Sequence, residues 1–150
     1  MRLSIVRRHG APILIACAAL LMSIAHAQTN PERQILGAWL TQAKDGVIEI
    51  YLTGTGKLEG KIVGGRDGSE TLDVNNPDPA LRSHPLRGTV MLRGFRYAGA
   101  GTWTDGTIYD PHNGKTYECN ITLTQPDTLK IRGYVGVPLF GRTEMWVRKK

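Results

Sequence analysis

The sequence predicts an all-β protein, an eight-stranded antiparallel up-and-down barrel. From residue 35 onward, short apolar or alternating runs are separated by clusters of Gly, Asp, Asn or Pro, a spacing typical of β-sandwiches and barrels. Apolar and polar side chains alternate with a period of two, most clearly at Ile48, Ile50 and Leu52, as in a sheet with one buried face. Apart from the short segment "PERQIL", no stretch beyond one or two turns has the 3.6-residue apolar spacing of a helix.

The eight predicted strands follow one another along the chain. They cover residues 35–42, 47–53, 57–64, 88–97, 101–109, 115–124, 127–136 and 142–149. The dipeptides Asp45-Gly46, Asp105-Gly106 and Asn113-Gly114 favour two-residue hairpins, so strands adjacent in sequence should pair in space. Closing such a sheet removes its exposed edges, and eight strands leave an interior that side chains fill or that holds one small ligand.

Residues 1–27 have the features of a secretory signal peptide. A basic opening precedes an apolar run too short to span a bilayer, and "AHA" ending at Ala27 is a small-residue cleavage site. The alternative is a lipobox in "LIAC", which would leave Cys17 lipidated at the mature N-terminus. Cleavage after Ala27 fits better because the apolar run continues past Cys17. We therefore expect an exported, periplasmic or secreted chain with a single domain over residues 28–150.

Charge and cysteine content limit the classes of function. The signal segment holds three of the 19 Lys and Arg and none of the 13 Asp and Glu, which leaves residues 28–150 with a net charge of +3. No basic stripe is interleaved with aromatic residues, so a nucleic-acid partner is not expected. The same residues contain one cysteine, Cys119, and no transmembrane segment, so the core alone must stabilise the fold. We expect a monomer.

The stretch "GTIYDPHNGKTYECNITL" concentrates polar chemistry and raises the question of a catalytic site. Asn113-Gly114 indicates a turn, which places His112 at a loop and Cys119 mid-strand on the buried face. A Cys–His dyad needs contact at about 3 Å, and this geometry does not bring the two together. Because the Cys–His contact is missing, we expect no enzyme and no cofactor. Neither His84 nor His112 belongs to a ligand-spaced pair, so we also expect no metal.

The long break at residues 64–87 is the segment most suited to a lid or binding loop. Its "DVNNPDP" stretch lacks the Gly and Glu of a calcium loop. Asp78 is placed to cap one helical turn beginning at Pro79, and Leu81 and Leu86 would fold back over a barrel end. An ordered plug of the barrel end with no binding role is an alternative of equal weight.

Several motifs resemble a known family. "GAWLT", "NPDPALRSHPLRG", "GTIYDPHNGKTY" and "LKIRGYVGVPLFGRTEMWVR", behind a signal peptide, resemble the DUF2147 family of small exported bacterial proteins. The resemblance implies a lipocalin-like β-barrel in the periplasm and no transferable catalytic residues. Gly37-Ala38-Trp39 is also similar to the Gly-x-Trp signature of lipocalins, in which the Trp packs against an arginine, here Arg148 or Arg142.

Two classes of function follow. The first is a binding module for a small apolar or amphipathic ligand. The alternative is an envelope structural or protein-interaction module with a solid core and a protein partner. For the first class, the candidate ligand-binding residues are Trp39, Ile50, Ile62, Trp103, Tyr117, Ile121, Ile131 and Arg148.

Overall fold

Eight antiparallel strands close into a barrel, as the sequence predicts. The computed structural model describes residues 30–65 and 71–150. The strands are β1 (Gly37–Leu40), β2 (Gly46–Leu52), β3 (Leu58–Gly65), β4 (Val90–Gly99), β5 (Thr102–Asp110), β6 (Lys115–Gln125), β7 (Thr128–Tyr134) and β8 (Gly141–Arg148). Each pairs with its neighbour in sequence, and β1 pairs with β8 to complete the ring. The signal-peptide and Cys17 predictions lie outside the described residues.

Helical structure is limited to three single 3₁₀ turns in the described chain, at Pro31–Arg33, Pro79–Leu81 and Pro138–Phe140. Pro79 begins the second turn, and the Asp78 carboxylate accepts a hydrogen bond from the backbone N–H of Ala80 at 2.9 Å. This confirms the predicted cap. Within residues 30–65 and 71–150, no helix is long and apolar enough to cross a membrane.

Large apolar side chains fill one half of the barrel interior. Three tryptophans, Trp39, Trp103 and Trp146, are almost fully buried there. Around them pack Ile35, Ile50, Leu58, Leu92, Phe95, Cys119, Ile121 and Leu129. Because successive strands run in opposite directions, the links after β2, β4 and β6, the start of β1 and the end of β8 lie at this end, which we call the closed end.

The predicted hairpin at Asp105-Gly106 is wrong. Both residues lie within β5, where the register shifts between Trp103 and Gly106 and Asp105 has a φ of 61°. This is a β-bulge, and Gly106 is required because a Cβ there would overlap the ring of Phe95. The dipeptide therefore marks a close approach between the backbone and the core.

The other two predicted two-residue turns are longer in the structure. The link between β5 and β6 spans residues 111–114 because Asp110 organises it, accepting hydrogen bonds from the His112 N–H and the Asn113 side chain, both at 2.9 Å. The link between β1 and β2 spans residues 41–45. Its ends are joined by the bond from the Thr41 N–H to the Gly46 carbonyl at 3.0 Å. Side-chain hydrogen bonds thus favour wider turns than the dipeptides predict.

Candidate ligand-binding site

A cavity of about 630 Å³ occupies the other half of the barrel. The segments that follow β1, β3, β5 and β7 surround its mouth, and this end is called the open end. Natural small-molecule sites fall in the range of about 300–1,000 Å³. The barrel is therefore packed solid at one end and hollow at the other.

The wall of the cavity is mainly apolar. Its strand residues include Ile48, Ile62, Met91, Ile108, Tyr117 and Ile131. Alternation along the strands turns most of these side chains inward, and a register shift between β3 and β4 lets Met91 line the cavity next to the inward-facing Leu92. Gly133 adds room, since it has no side chain where a Cβ would lie 3.5 Å from Ile108.

The closed end is sealed by Arg148 and Trp39. The guanidinium carbon of Arg148 lies 4.2 Å from the centroid of the Trp39 ring, a cation–π contact. The same guanidinium donates hydrogen bonds to the carbonyls of Gln34, Leu36 and Pro126 at 2.6, 3.0 and 3.1 Å. Trp39 Nε1 donates to the Ile35 carbonyl at 2.8 Å. One arginine thus ties the N-terminal segment across the end of the barrel.

Only three of the eight candidate binding residues line the cavity: Ile62, Tyr117 and Ile131. Ile50, Trp103 and Ile121 are buried in the packed half, and Trp39 and Arg148 form the seal of the closed end. Period-two alternation identifies inward-facing residues but not their height along the barrel axis. These five residues therefore form the floor and the seal and do not line the cavity.

Glu144 and Arg142 are polar residues of the site that were not among the sequence candidates. Both lie on β8 on the face of Trp146, opposite Ile131 and Gly133 of β7 respectively. The Glu144 carboxylate accepts a hydrogen bond from Trp146 Nε1 at 3.1 Å and pairs with the Arg142 guanidinium at 3.0 Å. The sequence pattern that could have identified Glu144 is the alternation in "RTEMWV", where Glu144 lies two residues before Trp146 and so on the same face of the strand.

Across the mouth, His112 meets Asp45. His112 Nε2 lies 3.3 Å from Asp45 Oδ2, although the two loops lie half-way round the barrel from each other. Partial burial opposes ionisation of Asp45, but hydrogen bonds from the Thr41 hydroxyl and the backbone, together with His112, outweigh it and lower its pKa below 3.8. We call this pair the mouth bridge.

The long segment between β3 and β4 forms one side of the mouth. The Asn75 side chain donates to the carbonyls of Pro111 and His112, each at 3.1 Å. Tyr109 donates to Asp73 at 2.6 Å, and burial, then this bond, raises the Tyr109 pKa to about 12. The segment is thus fastened to the β5–β6 loop.

The two leucines predicted to fold over the barrel end behave differently. Leu86 packs against the core and lines the cavity, as predicted. Leu81 is exposed, so its predicted position is wrong. It belongs to the 3₁₀ turn at Pro79–Leu81, which has no buried residue.

Cys119 is fully buried, as its position in the alternation predicts. Burial raises the pKa of its thiol to about 12. In the described chain, no group of three or more His, Cys, Asp or Glu side chains is arranged to hold a metal ion.

Comparison with known proteins agrees with this architecture. The family model described as "Uncharacterized protein conserved in bacteria (DUF2147)" matches residues 37–148. Among solved structures, the chain is similar to protein HP1028 of Helicobacter pylori, described as belonging to the lipocalin family. The identity is 25% and the TM-score 0.70, over 77% of this chain and 82% of that one. The comparison with curated proteins gives no match.

Proposed function

Because the chain belongs to the DUF2147 family and has a lipocalin-like barrel, we propose that it is a periplasmic binding module for a small apolar or amphipathic molecule. The observation that carries this proposal is the cavity of about 630 Å³ above a sealed apolar floor. A barrel packed along its whole length would offer no such volume. Export rests on the signal-like residues 1–27.

The cavity has the composition that an amphiphile requires. Apolar side chains deep in the barrel remove a hydrocarbon tail from water, which contributes about 25 cal/mol per Å² of buried surface. Polar groups lie at the mouth and on β8, where Asp45, His112, Arg142 and Glu144 line the opening. A few polar groups on an apolar wall fix orientation in many small-molecule sites.

A matched pair of substitutions on β7 tests the proposal. Ile131 is buried and lines the cavity, whereas its neighbour Lys130 is exposed on the outer wall. We expect Ile131→Trp to fill the cavity and abolish the thermal stabilisation that dodecanol gives the natural protein. Lys130→Trp should leave that stabilisation unchanged. Native mass spectrometry of protein purified from the periplasm should show a bound molecule in the natural protein and not in Ile131→Trp.

Two results would contradict the proposal. One is a natural protein that is ligand-free and shows no thermal shift with dodecanol or fatty acids. The other is an Ile131→Trp variant that folds and is stabilised by dodecanol as much as the natural protein is, because binding would then lie outside the cavity.

A second function, a protein-interaction module of the envelope, is supported by the loop between β7 and β8. Val135, Val137, Leu139 and Phe140 are exposed there. Arg132 holds the loop by donating to the carbonyls of Pro138 and Leu139 at 2.9 and 3.0 Å. Exposed apolar patches often mark interaction sites. If this function holds, replacing Val137 and Leu139 with serine should abolish the cross-linked product with a partner protein of the envelope. The same change should leave dodecanol binding intact.

A further inference from the structure

We propose that the cavity selects amphiphiles with a cationic head group and that Glu144 determines this selectivity. The inference rests on the proposed function and adds the chemical class of the ligand. Its basis is the placement of charge within the cavity wall.

The cavity wall carries a charge opposite in sign to that of residues 28–150. Among the described residues, the Asp, Glu, His, Lys and Arg side chains of the wall are Asp45, Asp110, His112, Arg142 and Glu144. With histidine neutral, these three carboxylates and one guanidinium give the described wall a net charge of −2, whereas residues 28–150 carry +3. Clefts lined by one sign of charge attract ligands of the opposite sign. An anionic head group would have to enter against three carboxylates.

Glu144 lies deeper than the other acidic residues of the wall. It pairs in register with Ile131, one inward-facing position above the fully buried Trp146, whose partner is Leu129. Its side chain is 28% exposed. A carboxylate beside an apolar wall is costly unless it is paired, and Glu144 is paired with Arg142 and Trp146. It therefore presents an ionised group to a ligand that enters the cavity.

The bonding of Glu144 leaves room for a ligand donor. Within the part of the chain that the structure describes, each carboxylate oxygen has one protein partner, Oε1 with Arg142 and Oε2 with Trp146 Nε1. An ionised carboxylate has about four acceptor positions, so two remain. The Arg142 side chain is 79% exposed and can turn toward solvent when a ligand ammonium takes its place. Trp146 is fully buried and holds the carboxylate in position.

This arrangement orients the ligand with its head toward β8 and its tail along the apolar wall. Ile48, Ile62 and Ile108 lie on other strands of the same cavity. At the mouth, Val135 and Phe140 also line the cavity and are 71% and 76% exposed.

Three amphiphiles with the same hydrocarbon chain test the inference: dodecylamine, dodecanol and dodecanoate. Isothermal titration below the micelle concentration, at neutral pH, measures each dissociation constant. We expect the natural protein to bind the amine about tenfold or more tightly than dodecanoate. Glu144→Gln, which keeps an oxygen acceptor for Trp146, should bring the two within about threefold.

Glu49→Gln is the matched control. Glu49 also lies on a strand and pairs with a cation, Lys61 at 3.1 Å, but it does not line the cavity. Its substitution should leave the amine preference intact. Arg142→Gln provides a second variant at an exposed position, and it should strengthen amine binding because a competing cation is removed.

The outcomes separate the two proposals. If dodecanol binds and dodecanoate binds as tightly as dodecylamine or more tightly, the cationic selectivity is overturned and the proposed function stands. An amine preference that survives in Glu144→Gln has the same consequence. Amine binding that weakens in Arg142→Gln also overturns it. Failure of all three amphiphiles to bind the natural protein overturns both proposals.

Discussion

Arg148 seals the closed end because of its position along β8. The sequence left Arg148 and Arg142 as alternative partners of Trp39. Trp39 pairs in register with Arg148, whereas Arg142 pairs with Gly133 at the open end. Six residues of extended strand span about 20 Å, so the two arginines serve opposite ends of the barrel. One seals the floor and the other lies in the cavity wall.

Cys119 provides a test of burial at a single residue. Its thiol pKa is raised from 9.0 to about 12 by burial. The unfolded chain ionises first as the pH rises, so the stability of the folded state is retained below pH 9.0 and is lost progressively toward pH 12. We expect Cys119→Val to remove part of this alkaline loss, which amounts to at most about 1.4 kcal/mol for each pH unit between the two pKa values. Denaturant unfolding of both proteins at a series of pH values measures it.

Labelling with a thiol reagent gives a second readout. The folded protein should react slowly at neutral pH and rapidly only when unfolded, because the thiolate is the reactive form. Fast labelling of the folded protein, or identical alkaline stability curves for the two proteins, would show that the thiol is accessible.

At the scale of elements, the bulge in β5 shows how a turn-like dipeptide can serve a strand. Asp105-Gly106 has the composition of a hairpin, but Phe95 of β4 packs over Gly106. We expect Gly106→Ala to destabilise the protein strongly, by about 1–3 kcal/mol, the range for overpacked cores. Gly64→Ala is the control, since a Cβ there would lie 3.8 Å from Val47, an ordinary contact.

Thermal unfolding of the two variants decides the matter. The control on β3 should change the melting temperature by much less than Gly106→Ala does. Equal melting temperatures would mean that Phe95 moves aside freely and that the glycine is not required.

At the scale of the whole molecule, the mouth bridge connects loops on opposite sides of the barrel. His112 Nε2 contacts Asp45 Oδ2 at 3.3 Å. Asp45 remains ionised at neutral and mildly acidic pH because its pKa lies below 3.8. The bridge should therefore span the mouth at neutral pH and slow the exchange of a ligand.

Ligand exchange provides the measurement for this bridge. Dodecanol, which carries no charge itself, should dissociate faster from Asp45→Asn than from the natural protein at neutral pH. Asp127→Asn, which lies at the closed end, should behave as the natural protein does. Equal dissociation rates in Asp45→Asn and the natural protein would show that the bridge does not control exchange.

Local features of the chain follow directly from its amino-acid sequence. Short alternating strands, the inward position of Cys119 and the cap at Asp78 follow from the spacing of a few residues, and all are found in the structure. The barrel itself is also predictable, because successive antiparallel strands that must hide their edges have few other solutions.

The division of the inward residues between the floor and the cavity follows from the closed barrel and not from the local sequence. Ile121 and Ile131 are alike in the sequence, yet the first is buried among the tryptophans and the second lines the cavity. The Asp45–His112 bridge likewise joins residues far apart in the chain. Height along the axis and contacts across the mouth depend on strand register around the closed ring, which local spacing does not encode.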